Sequence, residues 1–566
     1  MLEAVPRSKA TALLKQFGRG EIVPLQPDLK VVLERAEAML RDENLFFTFP
    51  YQTRLERPWE YDPFEQKHWP RRHYTEQKLH GPDTPRDVKI VWEINRFKDL
   101  TTLSQAALLT GDEKYAREAE RRILSWIEEN PFAGSINWAS ALEISIRLLS
   151  WTATLVLLRD SGFEVHSRAS IARSVYEQAA YLAADLSMDK VVPTNHLIGE
   201  AAGLFVLCNV WDFPDRDTYS QTAREILERE ILRQTFADGA TREATSWYHQ
   251  FVTHFFDLAD RVSTRELQPM SAEFQERLSK MKTYLSALTV NGEVIRYGDA
   301  DDGWAIYFEG DADAWKTYLF GPATTTPAFE HGYFPEAEQA AIHMENSFAF
   351  VRGGEFGMGG AGYSSHAHDD YLSPVIYLGG LPVVTDPGTY VYNGDKESRA
   401  RFRGETAHNG LKVGRGSEAV QRMNFGWHRV RPNARLSSVE FSNDYAIVLG
   451  KCAEWNGVSR KVMVGGAIAI VHDAFEHEQT SAEWRFHLDP QWKHEFTTEQ
   501  GSLGFSNKRG DHVMFVFKGQ FDTKQIETYD FSPSYRVEQK ALVIHLTAQK
   551  PLGAFEVRIA LGPTTE

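Results

Sequence analysis

Between His366 and Asn409 the chain reads HAHDDYLSPVIYLGGLPVVTDPGTYVYNGDKESRARFRGETAHN, gathering imidazoles, carboxylates and arginines around two apolar runs. Imidazole beside carboxylate suits a metal site or proton transfer. A sheet needs neither to fold. His368, Asp386 and His408 offer the nitrogen and oxygen donors that zinc accepts, with Asp369 or Asp370 as substitutes. The Gly379-Gly380 pair predicts a hairpin, because such turns require positive φ. A simple two-residue turn pairs position 373 with 386, so a bulge or a neighbouring strand must bring His368 closer. His-x-His on an extended strand would point the rings of His366 and His368 the same way. The plainer alternative makes His368 and His408 hydrogen-bonded sandwich residues.

A second group of candidates lies upstream. In PTNHLIGEAAGLFVL a helix starts after Pro193 with Thr194 as its cap. Asn195 and His196 fall in the first turn, where N–H groups and the helix dipole favour an anion. Glu200 shares that face and is spaced to hold the imidazole. In FADGATREATSWYHQFVTHFF, Tyr248 keeps register with Phe251, Val252, Phe255 and Phe256, as a core tyrosine does. Its phenol becomes a useful base only beside positive charge or hydrogen-bond donors. The polar turn Gly298–Gly303 is suited to line a cleft or bind a cation. Glu143 and Arg147 are spaced for an intrahelical ion pair, with substrate contact by Arg147 as the other reading. Trp247, like Trp138, Trp304 and Trp427, is a candidate for stacking on a sugar face.

These residues need elements to hold them. At 566 residues the chain exceeds what one core supports, so at least two domains are expected. A 3.6-residue pattern predicts helices over 88–110, 113–129, 138–159, 167–187, 195–210, 217–238, 244–261 and 272–288. Short connections imply antiparallel pairs in a curved or toroidal array. After an aperiodic stretch the pattern turns to alternation in SFAFVRGG, VSRKVMVGGAIAIVHDAFE and DHVMFVFKG, as in antiparallel sheets packed face to face. The expected division is a wrapping segment over 1–85, a helical domain over 86–320, a linker over 321–342 and a β-sandwich over 343–566.

With 62 basic against 78 acidic residues and a net charge of −16, the composition argues against nucleic acid as partner. A locally positive cleft for an anionic substrate remains compatible with that balance. Two distant cysteines, Cys208 and Cys452, make no disulfide framework and are expected as buried thiols. No stretch reads as a membrane span, and the first residues lack the apolar core of a signal peptide. On that basis the expected location is the cytoplasm, or the periplasm if a leader has been trimmed from the start of the chain.

The order of these signals is specific. From about residue 85 onward the chain resembles the heparinase II/III-like polysaccharide lyases. The carrying motifs are DVKIVWEINRF, TNHLIGEAAGL, DGATREATSWYHQ, RYGDADDG and above all HAHDDYLSPVIYLGGLPVVTDPGTYVY with FRGETAHN. The resemblance implies an incomplete (α/α) toroid followed by an antiparallel β-sandwich, a substrate cleft where they meet, and β-elimination on uronic-acid polysaccharides. It implies that Asn195 and His196 neutralise the sugar carboxylate, that Tyr248 serves as base, acid or both, and that His366 is its proton-transfer partner. His368, Asp386 and His408 match the family's metal positions, where a divalent ion (zinc, with calcium or manganese as alternatives) chiefly orders the sandwich. Glu200, Arg147, Trp247, Arg399 and Arg403, with Arg401 beside them, are candidates for contact with an acidic polysaccharide or oligosaccharide. Two rival readings are a glycoside hydrolase using paired carboxylates such as Glu200, Glu243, Asp299 or Asp301, and a non-catalytic glycan-binding or exopolysaccharide-assembly protein.

Overall fold

All but the first of the expected helices form as single elements, and their ends follow local chemistry. The computed structural model describes residues 29–562 apart from 80–83, 160–164, 190–193, 327–328, 330–331, 359–365, 423 and 431–432. The N-terminal stretch read above for a leader, and Pro193 before the Asn195 helix, lie outside these. The described helices are α1 (Leu29–Leu40), α2 (Val88–Ile94), α3 (Lys98–Thr110), α4 (Glu113–Glu129), α5 (Ala141–Leu157), α6 (Val165–Ala184), α7 (Asn195–Val210), α8 (Arg216–Arg233), α9 (Ser246–Arg265), α10 (Ala272–Ala287), α11 (Ala312–Phe320) and α12 (Lys396–Arg403). The helix expected over 88–110 is broken. Asn95 Nδ2 donates to Val91 O at 2.7 Å, and Phe97 takes a left-handed φ of 58° before α3 begins. The aperiodic stretch after Gly310 holds α11, started by Asp311 accepting from Asp313 N and Ala314 N.

The chain forms two compact units that interleave along the sequence. The first comprises residues up to Leu232, Phe251–Leu278 and Gly303–Thr325; the second comprises Arg233–Gln250, Ser279–Asp302 and the chain from Thr326. Within the first, α5 and α7 are buried on every side, which is why their sequences show no clean polar face. They approach closely because Gly199 and Gly203 on α7 oppose Leu142 and Ser145 on α5. A Cβ on Gly203 would lie 1.9 Å from Ser145 Oγ. Ser145 Oγ instead donates to Gly199 O at 2.6 Å. Glu143 does not close the expected pair with Arg147; Arg96 takes its carboxylate at two points, 2.8 and 2.7 Å, tying α5 to the turn between α2 and α3.

The second unit is built on antiparallel sheets of five, four and eight strands. The hairpin Val458–Gly465 and Ile468–Phe475 alternates buried and less buried positions, as its sequence predicts. Strand Ser347–Arg352 is buried on both faces. Ala349 and Val351 enter the large core shared by the sheets, while Phe348 and Phe350 pack with Tyr284, Ala287 and Tyr297. The hairpin across Gly379 and Gly380 also forms, both glycines having positive φ. It pairs Leu378 with Leu381 and carries a bulge between Ile376 and Tyr377. His366 and His368 lie outside the strands, on the segment leading into this hairpin, so the strand expected for His-x-His is absent. Cys208 and Cys452 are buried free thiols, and no described helix is long and apolar enough to cross a membrane.

Candidate active site

Gly298 lets the site assemble. Its φ is 62°, and a Cβ there would lie 2.6 Å from Ala244 O, so any side chain would be strained and obstructed. The turn after it therefore lies against the chain entering α9. Thr245 Oγ1 donates to Asp299 O at 2.6 Å, and Ser246 N donates to Tyr297 O at 3.2 Å. From the other side, Ala300 N donates to Thr389 Oγ1 at 2.7 Å. Asp299 is thus fixed beside the first turn of α9, which carries Tyr248.

The Tyr248 ring stacks on His366, with centroids 3.8 Å apart and planes 19° from parallel. Its hydroxyl accepts from Tyr392 Oη at 3.0 Å. Burial, and then the charge of Asp301, push the phenol well above its ordinary value, so Tyr248 rests protonated. His366 Nδ1 lies 2.9 Å from Asp299 Oδ2. An ionised carboxylate only accepts, which assigns a proton to Nδ1 and, in the neutral ring, leaves the lone pair on Nε2. Asp299 is wholly enclosed, and Arg399 spans both of its oxygens. Against the upward push of burial, Arg399 and the two imidazoles hold this carboxyl well below the usual range. Phe425, 36% exposed, stands edge-on to His366 and Tyr392 at 6.0 and 5.3 Å. It forms an apolar wall that no sequence signal singled out.

The metal reading concerns the other side of Asp299. His368 Nε2 donates to Asp299 Oδ1 at 2.8 Å, and His408 Nδ1 donates to Asp386 Oδ2 at 2.8 Å. His368 Nδ1 and His408 Nε2 are buried with no hydrogen-bond partner. One donor atom from each of His368, Asp386 and His408 lies within 4.8 Å of the others. Burial lowers the pKa of His368, favouring the neutral ring that a cation needs. Orphaned imidazole nitrogens beside a carboxylate, with the His368 ring oriented by Asp299 and the His408 ring by Asp386 itself, fit a divalent ion.

Other expected contacts come out differently. Arg399 and Arg403 lie on α12 and are buried. Arg399 is the clamp on Asp299, and Arg403 donates to Asn424 O at 3.0 Å with its guanidinium over Trp427. Burial, then the charge of Arg399, bring Arg403 down to about 9. Arg401 is exposed and pairs with Glu538 and Asp530. Trp247 has Arg296 over one face at 5.2 Å. Trp138 and Trp427 are core residues. In the first unit, Asn195 is buried and His196 half-buried at the start of α7, whose cap position Thr194 occupies without a side-chain cap bond. Glu200 is buried and accepts from Ser187 N and Oγ at 2.7 and 2.8 Å, which ties α7 to the turn at Ser187. Arg147 is enclosed, donating to Gln178 Oε1 at 2.8 Å and packing over Trp126, so it braces helices from within. Asp299 is the residue that sequence reasoning undervalued. The motif RYGDADDG marked the turn, but a polar turn alone does not say that its first aspartate is buried.

The family model described as "Heparinase II/III N-terminus" matches residues 10–307, and "Heparinase II/III-like, C-terminal" matches residues 326–560. The chain belongs to the heparinase II/III family. It is 30% identical over 343 residues to a heparin-sulfate lyase of Pedobacter heparinus, the match covering 55% of this chain and 49% of the relative. A heparin-sulfate lyase of Bacteroides stercoris is 24% identical over 306 residues, covering 48% of this chain and 42% of the relative. The chain thus spans about half the length of the curated relatives it matches. Among solved structures, a heparinase III aligns over 94% of this chain and 85% of its own, with TM-score 0.66 and 16% identity. A heparan sulfate lyase of Pedobacter heparinus aligns over 95% and 84%, with TM-score 0.57 and 18% identity. At such identity the likeness shows the fold, which is the one expected for a heparinase II/III protein: an incomplete (α/α) toroid and an antiparallel β-sandwich.

Proposed function

We propose that this heparinase II/III protein is a polysaccharide lyase that cleaves a uronate-bearing glycosaminoglycan by β-elimination. The observation that carries the reading is the stacked pair of Tyr248 and His366, with Asp299 on the far nitrogen of the imidazole. Elimination at a uronate needs a base for the C5 proton and an acid for the leaving O4. His366 Nε2 accepts the proton, the C5–H electrons form the C4=C5 double bond, the C4–O4 bond breaks, and Tyr248 gives its proton to O4. The high phenol pKa supports the donor role for Tyr248. A carboxylate on the far side of an imidazole supports the acceptor role for His366, because it stabilises the cation formed.

For Asn195 and His196 we propose, on motif resemblance alone, donors to the sugar carboxylate, where charge builds in the transition state. His368, Asp386 and His408 would hold a divalent ion, zinc by donor type, whose contribution is to order the sandwich segments bearing these ligands. The buried Asp299 cannot reach a glycosidic bond, which weakens the hydrolase reading.

The test is purified protein incubated with a panel of acidic polysaccharides that includes heparan sulfate. Elimination gives a conjugated acid absorbing near ~232 nm, with products that have gained no water by mass. Products carrying an added water, or binding without products across the panel, would remove the lyase reading.

A further inference from the structure

Resting on the lyase reading, we propose that Asp299 is a positioning residue that sets the tautomers of two imidazoles at once: His366, which exchanges a proton with substrate, and His368, which would hold a divalent ion. The bonds to its carboxylate divide evenly. Oδ2 accepts from His366 Nδ1 at 2.9 Å and from Arg399 Nη2 at 2.5 Å. Oδ1 accepts from His368 Nε2 at 2.8 Å and from Arg399 Nη1. A neutral imidazole has one N–H, so the ring whose N–H meets this carboxylate must present a lone pair at its other nitrogen. For His366 the lone pair is on Nε2. For His368 it is on Nδ1, the buried atom without another partner. One carboxylate therefore selects opposite tautomers for two rings two residues apart.

The backbone makes the arrangement stiff. Asp299 N donates to His366 O at 3.0 Å, and Asp299 O accepts from Thr245 Oγ1 at 2.6 Å. The carboxylate cannot follow one ring without leaving the other, and Arg399 holds it flat between them. A purely structural ion pair with Arg399 would not require either imidazole. Here each ring instead has its orienting N–H bond to this one group, so the two rings are coupled through a single, fully enclosed side chain.

Asp299→Asn is the discriminating substitution, because its amide offers one acceptor and one donor end, and only one imidazole can keep its tautomer. On the polymer cleaved by the unmodified protein, kcat should fall ~10²-fold or more while KM stays within ~3-fold, as expected for a wrong tautomer at a proton-transfer ring. Zinc ion titrated calorimetrically into chelator-treated, dialysed protein should bind ~10- to 100-fold more weakly to the variant. Wild-type kcat and zinc affinity in the folded variant would overturn the proposal. Should the variant fail to fold, nitrogen NMR of histidine-labelled unmodified protein decides instead. His366 must carry its proton on Nδ1 and His368 on Nε2, and the reverse at either ring refutes the assignment. If the unmodified protein cleaves nothing, the lyase reading fails separately, while the zinc titration and the nitrogen signals still decide what Asp299 does.

Discussion

Removing the hydroxyl of Tyr248 leaves its ring stacked on His366 and deletes the group that meets Tyr392 at 3.0 Å. Tyr248→Phe should therefore lower kcat by ~10³-fold, within the range for loss of a proton-transfer group. Loss of one hydrogen bond of about 1 kcal/mol should shift Tm by only a few degrees. A fully active variant would take Tyr248 out of the reaction. His408→Ala addresses the ion. An ion present at ~100-fold excess over its Kd adds about 2.7 kcal/mol to stability, so chelator should lower the Tm of the unmodified protein and leave that of the variant unchanged. Equal melting with and without chelator would argue against a structural ion. Periodicity placed Tyr248 correctly in a buried helix face, yet the same pattern describes any core tyrosine. What distinguishes it, a stacked imidazole from 118 positions later in the numbering, is a tertiary fact. The cluster of His368, Asp386 and His408 was more legible, because residue type alone limits what such a group can do.

Helices were legible as elements because amphipathic spacing repeats many times within each. Glu113–Glu129 and Asn195–Val210 fall at their expected bounds. The break at Phe97 was not visible, since it depends on Asn95 capturing a carbonyl of its own helix and Trp59 O. Nor was α12 visible, because a short charged segment gives no sign that a buried aspartate waits for its Arg399. Close packing of α5 on α7 yields a prediction with two opposed effects. Gly203→Ala gains up to about 1 kcal/mol of helix propensity. Overpacking of a tight contact costs about 1–3 kcal/mol, and a Cβ at 1.9 Å from Ser145 Oγ cannot be accommodated in place. Calorimetry should show a lower Tm for Gly203→Ala, partly restored by adding Ser145→Gly. A raised Tm would mean that the two helices yield more easily than their geometry implies.

Across the molecule, buried ionisable groups make acid the sensitive direction. Burial brings His249, whose Nε2 bonds Met281 O at 2.9 Å, down to about 4. Folding therefore keeps this ring neutral where the unfolded chain would protonate it. Stability is full above pH ~6.5 and falls as pH drops from there toward about 4, by on the order of 3 kcal/mol for this group. Glu93 acts in the same direction at lower pH. Although burial alone would raise it, Lys98, Arg96 and Lys89 hold it far below the carboxylate range. Denaturant melts across pH 4–7 should show His249→Gln with a shallower loss than the unmodified protein, and parallel curves would exclude the ring as the source. The helical-then-sheet order was readable from the change of period along the chain. The interleaving of the two compact units was not, because it depends on which helix ends pack with the sheets.

That interleaving limits how this protein can be divided. A fragment starting at Thr326 would retain His366, His368, Asp386 and His408, yet Tyr248 and Asp299 are encoded upstream, in Arg233–Gln250 and Ser279–Asp302. Tyr284 and Tyr297, which line one face of the buried strand Ser347–Arg352, would go with them. Chimeras joined between the two family matches would thus inherit phenol and imidazole from different parents, and lineages exchanging these halves must keep the stacked rings of Tyr248 and His366 and their supporting bonds compatible at once.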